Sequence, residues 1–537
     1  MKKIYFITLF LVFSLIFTFT NCAKRGNITG GLLDTIAPKI VSSSPDNFNT
    51  NFKEKEIKIN FNELIKIKDI NKQLVISPPM KKMPIIVPQG SASKFISIKI
   101  LDTLQENTTY SFNFGQSITD NNEGNPYSQF KYIFSTGSYI DSLSIIGKIK
   151  DAYKQESDNF VSLQLYNAET FTDSTVYKET PIYVTNTLDS LKTFALENLK
   201  GGKYHLIALK DINNNYKYDP KSDKIGFLKD AISIPNDTLF GLELFKEVRP
   251  FKASKPTQES SNKFYIAIEG KAENTKITAK IGDVNILVFT TKYPEKNKDS
   301  LQIFIPNTKL DSLIFTVENG NYSKSFTSKI KELKTTDSLS ISTEKNGTIS
   351  FRENFTLLTG TPISEIQKSK ITLLNKDSIA IDFNLRHNLF EQKVTFEFKK
   401  EENEKYRLQL LPGAIKDFYS TENDTLNYSF STKSYTDYGN LKVILKNVAK
   451  YPLILEVITI NGDVAATTIV TADLPILFEA IEPNIYSLRV IYDDNKNSIW
   501  DTGSYLEKRQ AEQVQYYPKT IDVRANWDVE QEYILKN

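Results

Sequence analysis

A tyrosine-led motif occurs twice in this chain with identical spacing. The copies read Tyr204-x-Leu206-x4-Asp211-x-Asn213-x-Asn215-x3-Asp219 and Tyr486-x-Leu488-x4-Asp493-x-Asn495-x-Asn497-x3-Asp501. The first half of each alternates apolar and polar side chains, the pattern of a half-buried strand, and the second half is an oxygen-rich turn. A second motif repeats in the same order. Tyr132-x-Phe134-Ser135-Thr136-x-Ser138-Tyr139-x-Asp141 returns as Tyr428-x-Phe430-Ser431-Thr432-x-Ser434-Tyr435-x-Asp437. Upstream, Tyr110 and Asp120 have a weaker echo in Tyr406 and Asp417. Two motifs repeated in one order restrict the fold severely. Whatever lies at 34–250 lies again at about 340–537, which predicts an all-β, internally duplicated tandem of β-sandwiches.

At 537 residues the chain is too long for one core. Residues 34–137 predict one β-domain, with Ile57, Ile59, Phe61 and then Ile96, Ile98, Ile100 at strand spacing. Residues 138–250 predict a second, 251–339 a third of unknown type, 340–433 a divergent copy of the first, and 434–537 a copy of the second. In the third, Phe264–Ile268 and Leu301–Ile305 are strand-like. The Ser-, Lys- and Thr-rich stretch Lys252–Lys263 reads as a linker. The charged run Lys399–Lys405 reads as a solvated turn.

Some of these stretches resemble known families. Thr108-Thr109-Tyr110, Asp120 to Gly124-Asn125-Pro126 and Phe134-Ser135-Thr136, opened by Pro38 and Pro45, resemble the bacterial Ig-like domain of surface-layer and other envelope proteins. That resemblance implies a sandwich with a structural or spacer role. Phe194-x-Leu196-Glu197-Asn198-Leu199-x-Gly201-Gly202-x-Tyr204-x-Leu206 resembles transthyretin-like, carboxypeptidase-regulatory-type domains, small sandwiches without catalytic residues. Phe478-x-Ala480-Ile481-x-Pro483-Asn484-x-Tyr486-x-Leu488 repeats the pattern.

The N-terminus is a targeting segment. Lys2 and Lys3 precede a mostly apolar run, Ile4–Thr20, too short to span a bilayer and expected to be a signal peptide over 1–21. It ends at Cys22, the sole cysteine, and so resembles a bacterial lipoprotein precursor, with lipidation expected at Cys22. The local Phe19-Thr20-Asn21 departs from the usual lipobox. Residues 22–33 would be the lipidated tether, with Gly26, Gly30 and Gly31. A single cysteine excludes internal disulfides and thiolate metal clusters. The formal net charge of +3 offers no reason to expect nucleic acid. The expected partners are the membrane, through the lipid, and other envelope proteins or glycans. Outer-membrane anchoring is the expected location.

Two patterns carry chemistry. The Asp-x-Asn-x-Asn-x3-Asp loops set Asp211, Asn213, Asn215 and Asp219, and again Asp493, Asn495, Asn497 and Asp501, at the alternation that lets a tight loop wrap calcium, a cation of six to eight oxygen ligands. Asp223 or Glu507 would be extra ligands. The departures from an EF-hand are Tyr216 and Ser498 at the sixth place, where it carries Gly, and Ser222 and Ser504 at the twelfth, where it carries Glu. The competing reading is that Asn and Asp merely favour turns. The other pattern is Asp followed by Ser or Thr and an apolar residue or Thr. Its hydroxyls are Thr35, Thr103, Ser142, Ser174, Ser190, Thr238, Ser300, Ser312, Ser338, Ser378 and Thr425. Chance predicts on the order of two such matches. The pattern resembles the O-glycosylation sequon of envelope proteins in one group of Gram-negative bacteria, and it equally marks a turn before a strand.

Enzyme signatures are missing from the sequence. The two histidines, His205 and His387, have no partner at ligand or triad spacing, and His205 reads as a half-buried strand residue. No phosphate loop, nucleophile elbow or dinucleotide fingerprint occurs. The expectation is a non-enzymatic envelope scaffold or binding module. The alternatives are a carbohydrate- or protein-binding surface receptor, or an envelope hydrolase or assembly factor with an unrecognised site.

Overall fold

The computed structural model describes residues 34–188, 192–294, 299–307 and 311–536. It is nearly all β, 48% strand and 3% helix, as the repeated strand motifs predict. The chain divides into two compact units, Met1–Asp141 and Ser142–Asn537.

In the first unit the long strand Glu56–Ile67 pairs with Ile40–Ser44, Ser93–Lys99 and Ile118–Asp120. A second sheet joins Val75–Ser77, Thr109–Asn113 and Lys131–Ser135. Ile57, Ile59, Ile96 and Ile98 from one sheet and Phe112 and Phe134 from the other fill the core, all essentially solvent-free. The predicted alternation is therefore the core face. A corner closes the sandwich. The Tyr110 hydroxyl accepts the Gln105 N–H at 2.9 Å, while Thr136 Oγ1 accepts the Thr108 N–H at 2.9 Å and donates to the Gln105 carbonyl at 2.7 Å. This is the tyrosine corner of Ig-type sandwiches.

In the second unit, 340–433 repeats that corner. Tyr406 Oη accepts the Glu401 N–H at 2.8 Å, and Thr432 Oγ1 accepts the Glu404 N–H at 3.2 Å and donates to the Glu401 carbonyl. The weak sequence echo is a strong structural one, because the corner needs only the tyrosine and the threonine. Glu404 corrects the reading of Lys399–Lys405 as wholly solvated. It is buried, and its Oε1 accepts the N–H groups of Lys376 and Lys405.

The other duplicated stretches share one strand order. Tyr183–Asn186, Ser162–Asn167, Gly202–Lys210 and Lys224–Phe227 lie side by side, with Ile232–Ile234 also on Gly202–Lys210. Val464–Val470, Leu453–Thr459, Asn484–Tyr492, Val514–Tyr516 and Ile521–Val523 repeat this order. Each five-stranded sheet faces a three-stranded one whose last pair is parallel, Leu143–Asp151 with Leu239–Leu244 and Gly439–Lys446 with Asp528–Ile534. Tyr204 and Tyr486 sit in the two cores and donate to the Lys200 and Glu482 carbonyls at 3.1 and 2.6 Å.

Between the copies, Lys263–Glu269 pairs antiparallel with Ser300–Phe304 over a core of Phe264, Ile266, Leu301 and Ile303. The stretch expected to be a linker is not one. Lys252–Ala253 and Thr257–Ser260 are strands on the edge of Lys263–Glu269. An edge strand turns polar side chains to water and so looks like a linker in composition. Among the described residues no helix is long and apolar enough to cross a membrane.

Candidate functional site

The central strands Gly202–Lys210 and Asn484–Tyr492 deliver Asp211 and Asp493 to the sheet ends, where both are buried. Each carboxylate gathers the turn that follows. Asp493 Oδ1 accepts the Asn497 N–H at 3.0 Å and its Oδ2 accepts that of Ser498 at 2.9 Å. Asp211 Oδ2 accepts the Tyr216 N–H at 2.6 Å. Asn215 and Asn497 turn their side-chain oxygens onto the N–H two residues on, Lys217 at 2.8 Å and Ile499 at 2.9 Å. The fourth and sixth residues are left-handed in both copies, with φ of 53° and 58° at Asn214 and Tyr216 and of 60° and 66° at Lys496 and Ser498. Left-handed backbone costs a residue with a Cβ roughly 1–2 kcal/mol. At the sixth place the hydrogen bond to the buried aspartate offsets it, so the turn forms without glycine.

A second carboxylate braces each loop from outside the motif. Asp223 accepts the N–H groups of Ile212 and Asp219 at 3.1 and 2.9 Å. Glu512 accepts those of Asp494 and Asp501 at 2.8 and 2.9 Å. These are the same two places in the loop. Asp223 is legible from the sequence as a neighbour of the motif, but Glu512 is not. In the second copy the chain makes an excursion over 502–511 before returning, and Glu507, the expected counterpart, lies exposed beside Arg509.

The excursion packs on the first copy. Thr502 Oγ1 donates to the Lys246 carbonyl at 2.8 Å, and the Tyr505 N–H donates to Glu247 Oε1 at 2.6 Å. The Tyr505 ring, 1% exposed, lies edge-on to Phe227 and Tyr218. Tyr516 Oη donates to the Tyr153 carbonyl at 2.6 Å, and the Arg489 guanidinium sits 4.3 Å from the Tyr153 ring centre while paired with Glu456.

The two loops differ in how their charges are met. In the second, the amides of Asn495 and Asn497 donate to Asp501 Oδ2, and Lys271 Nζ lies 3.5 Å from its Oδ1. Burial alone would raise Asp501, but these donors and the lysine charge together hold it below the ordinary carboxylate value. In the first, the Asn213 amide reaches only Ser222 Oγ, at 3.4 Å, and Asp219 Oδ1 accepts the Lys221 N–H at 2.9 Å. Asp211 Oδ1 is buried without a hydrogen bond. Burial pushes Asp211 above the ordinary carboxylate value and nearby Asp223 adds to the rise, against the backbone N–H groups of Tyr216, Asn214 and Asn215 that face the carboxylate. Among the described residues no lysine or arginine pairs with Asp211, Asp219 or Asp223. Nor do three His, Cys, Asp or Glu side chains converge there as a metal cluster. Each predicted set of four thus has its first aspartate at the centre of the turn, while the other side chains engage neighbouring groups.

The remaining candidates are dispersed. Cys22 and Ser190 lie outside the described residues. Ser300 and Ser312 are half-buried first residues of strands, and Thr35, Thr103, Ser142, Ser174, Thr238, Ser338, Ser378 and Thr425 are exposed. His205 stacks on Phe171 with ring centres 4.2 Å apart, and burial holds it below the ordinary histidine value.

No curated protein matches this chain. Among solved structures, the surface-layer protein SbsC aligns at 11% identity over 91% of this chain and 67% of its own, with a TM-score of 0.14. The first eight Ig domains of Down syndrome cell adhesion molecule align at 10% identity over 94% of this chain and 61% of their own, with a TM-score of 0.15. Ig domains 1–4 of Sidekick-1 align at 7% identity over 65% and 90%, with a TM-score of 0.16. Residues 34–136, the stretch closed by the Tyr110 corner, match the family model of the bacterial Ig-like domain.

Proposed function

We propose that this protein is anchored in the cell envelope through a lipid on Cys22, at the outer membrane, and serves there as a non-enzymatic scaffold or binding module. The observation that carries this reading is the interlocking of sandwiches in the second unit. The 502–511 excursion plugs one sandwich into another, and Tyr419 Oη bonds the Asn262 and Ile305 carbonyls at 3.0 and 3.1 Å. Sandwiches joined by buried side chains hold their end loops at fixed separations, which suits a support or a binding face. A bacterial Ig-like domain directly after the tether supports the same reading. His205, packed under Phe171, serves packing.

Cys22→Ala should move the protein from the membrane to the soluble fraction. Unchanged membrane association with no acyl group by mass spectrometry rules the anchor out. Envelope proteins or glycans are the proposed partners, and a pull-down from solubilised membranes with the mature chain would identify them. We further propose that the exposed Asp-Ser/Thr turns carry O-glycans. Protein from its native host should weigh more than polypeptide plus lipid, with Ser300 and Ser312 unmodified. A mass equal to polypeptide plus lipid excludes glycosylation.

A further inference from the structure

The two loops share a backbone conformation, and they differ in how their carboxylates are met. Both oxygens of Asp493 accept backbone N–H groups, and Asp501 is met by two amides and Lys271. Asp211 is only 8% exposed, and its Oδ1 has no hydrogen-bond partner although its Oδ2 is held in the middle of the turn by Tyr216. Asp223, wholly buried, adds a second negative charge, and among the described residues no cationic side chain pairs with either. A buried carboxylate oxygen that completes no hydrogen bond is costly, and a bound cation removes that cost.

The donors available in the turn are all oxygen. They are the carboxylates of Asp211 and Asp219, the amide oxygens of the exposed Asn213 and Asn215, and backbone carbonyls. Zinc favours nitrogen and sulfur, and magnesium demands a near-ideal octahedron. Calcium accepts six to eight oxygens in adaptable geometry, carbonyl and amide oxygens included. We infer that the first loop binds a single calcium ion through Asp211 Oδ1 with Asn213 and Asn215, and that the second loop, filled by Lys271 and its own amides, binds none. Duplication thus leaves one copy as an ion site and the other as a structural joint.

The test is calorimetric titration of the chelator-treated full chain with calcium chloride. One ion per chain is expected, with a dissociation constant on the order of 0.1–1 mM or tighter. Asp211→Asn, nearly isosteric, should abolish binding, and Asp493→Asn should leave the stoichiometry at one. Terbium is an independent probe, since Tyr216 lies in the turn. Its tyrosine-sensitised emission should appear in the wild type and in Asp493→Asn, be displaced by calcium, and vanish in Asp211→Asn. No binding at millimolar calcium overturns the inference. So do two ions per chain, or binding that survives Asp211→Asn. Should Asp211→Asn fail to fold, Asn213→Ala alters only an exposed side chain. It should weaken calcium by about tenfold, and unchanged affinity would overturn the site.

Discussion

Single carboxylates organise the turns of this protein, and Asp120 shows how. Its Oδ1 accepts the N–H groups of Asn122, Glu123 and Gly124, and its Oδ2 accepts that of Asn125 at 2.7 Å. Burial would raise this aspartate, but the four backbone donors outweigh it and hold it below its ordinary value of 3.8. Lys66 and Lys68 lie beside the loop, bonding Asn121 and approaching Gly124. Because the folded value is depressed, the stability Asp120 contributes is present above about pH 4 and is lost as pH falls through the lowered value. In Asp120→Asn an amide N–H₂ would oppose one of the donors. The amides of 122–125 should then exchange on the order of tenfold faster at neutral pH, and the difference from wild type should shrink on acidification. Equal exchange at neutral pH would refute this account. Tyr505 provides the converse case. Its hydroxyl is buried without a partner, so Tyr505→Phe should stabilise the second unit by about 1 kcal/mol in thermal melts.

At the scale of elements, the 502–511 excursion is the joint between duplicated sandwiches. A Cβ on Gly503 would stand 2.5 Å from the Phe245 ring, closer than packed atoms tolerate. Gly503→Ala should therefore cost about 1–3 kcal/mol. Tyr505→Ala, which empties a fully buried site, should cost about 3–5 kcal/mol. Both should expose the amides around Phe227 and Phe245 to exchange while leaving the core of Tyr486 and Leu488 protected. Loss of protection throughout 439–535 would show that the excursion supports its own sandwich instead. The edge strands at Lys252–Ala253 and Thr257–Ser260 show the limit of composition as a guide. Whether polar residues join a ladder depends on a neighbour with free N–H and C=O groups, and that neighbour is known only in three dimensions.

At the scale of the molecule, the division at Asp141 and Ser142 predicts two melting transitions in the calorimetry of the full chain. Asp120→Asn should lower only one and Tyr505→Ala only the other, while a single transition moved by both would show one cooperative unit. The sequence by itself determined the all-β class, the strands and their inward faces, because period-two alternation is a local property and the core simply gathers one face. It also revealed the duplication, since Tyr110 and Tyr406, and Tyr204 and Tyr486, mark equivalent corners whose geometry needs only a few residues at fixed separation. It placed Asp211 and Asp493 in equivalent turns for the same reason. Tertiary structure alone decided what those turns became. Glu512 braces its loop from beyond an excursion, Lys271 reaches Asp501 from another sandwich, and Asp211 keeps an unmet oxygen. Those differences are electrostatic and act across the fold, between residues far apart in the chain, so identical spacing in the sequence does not record them.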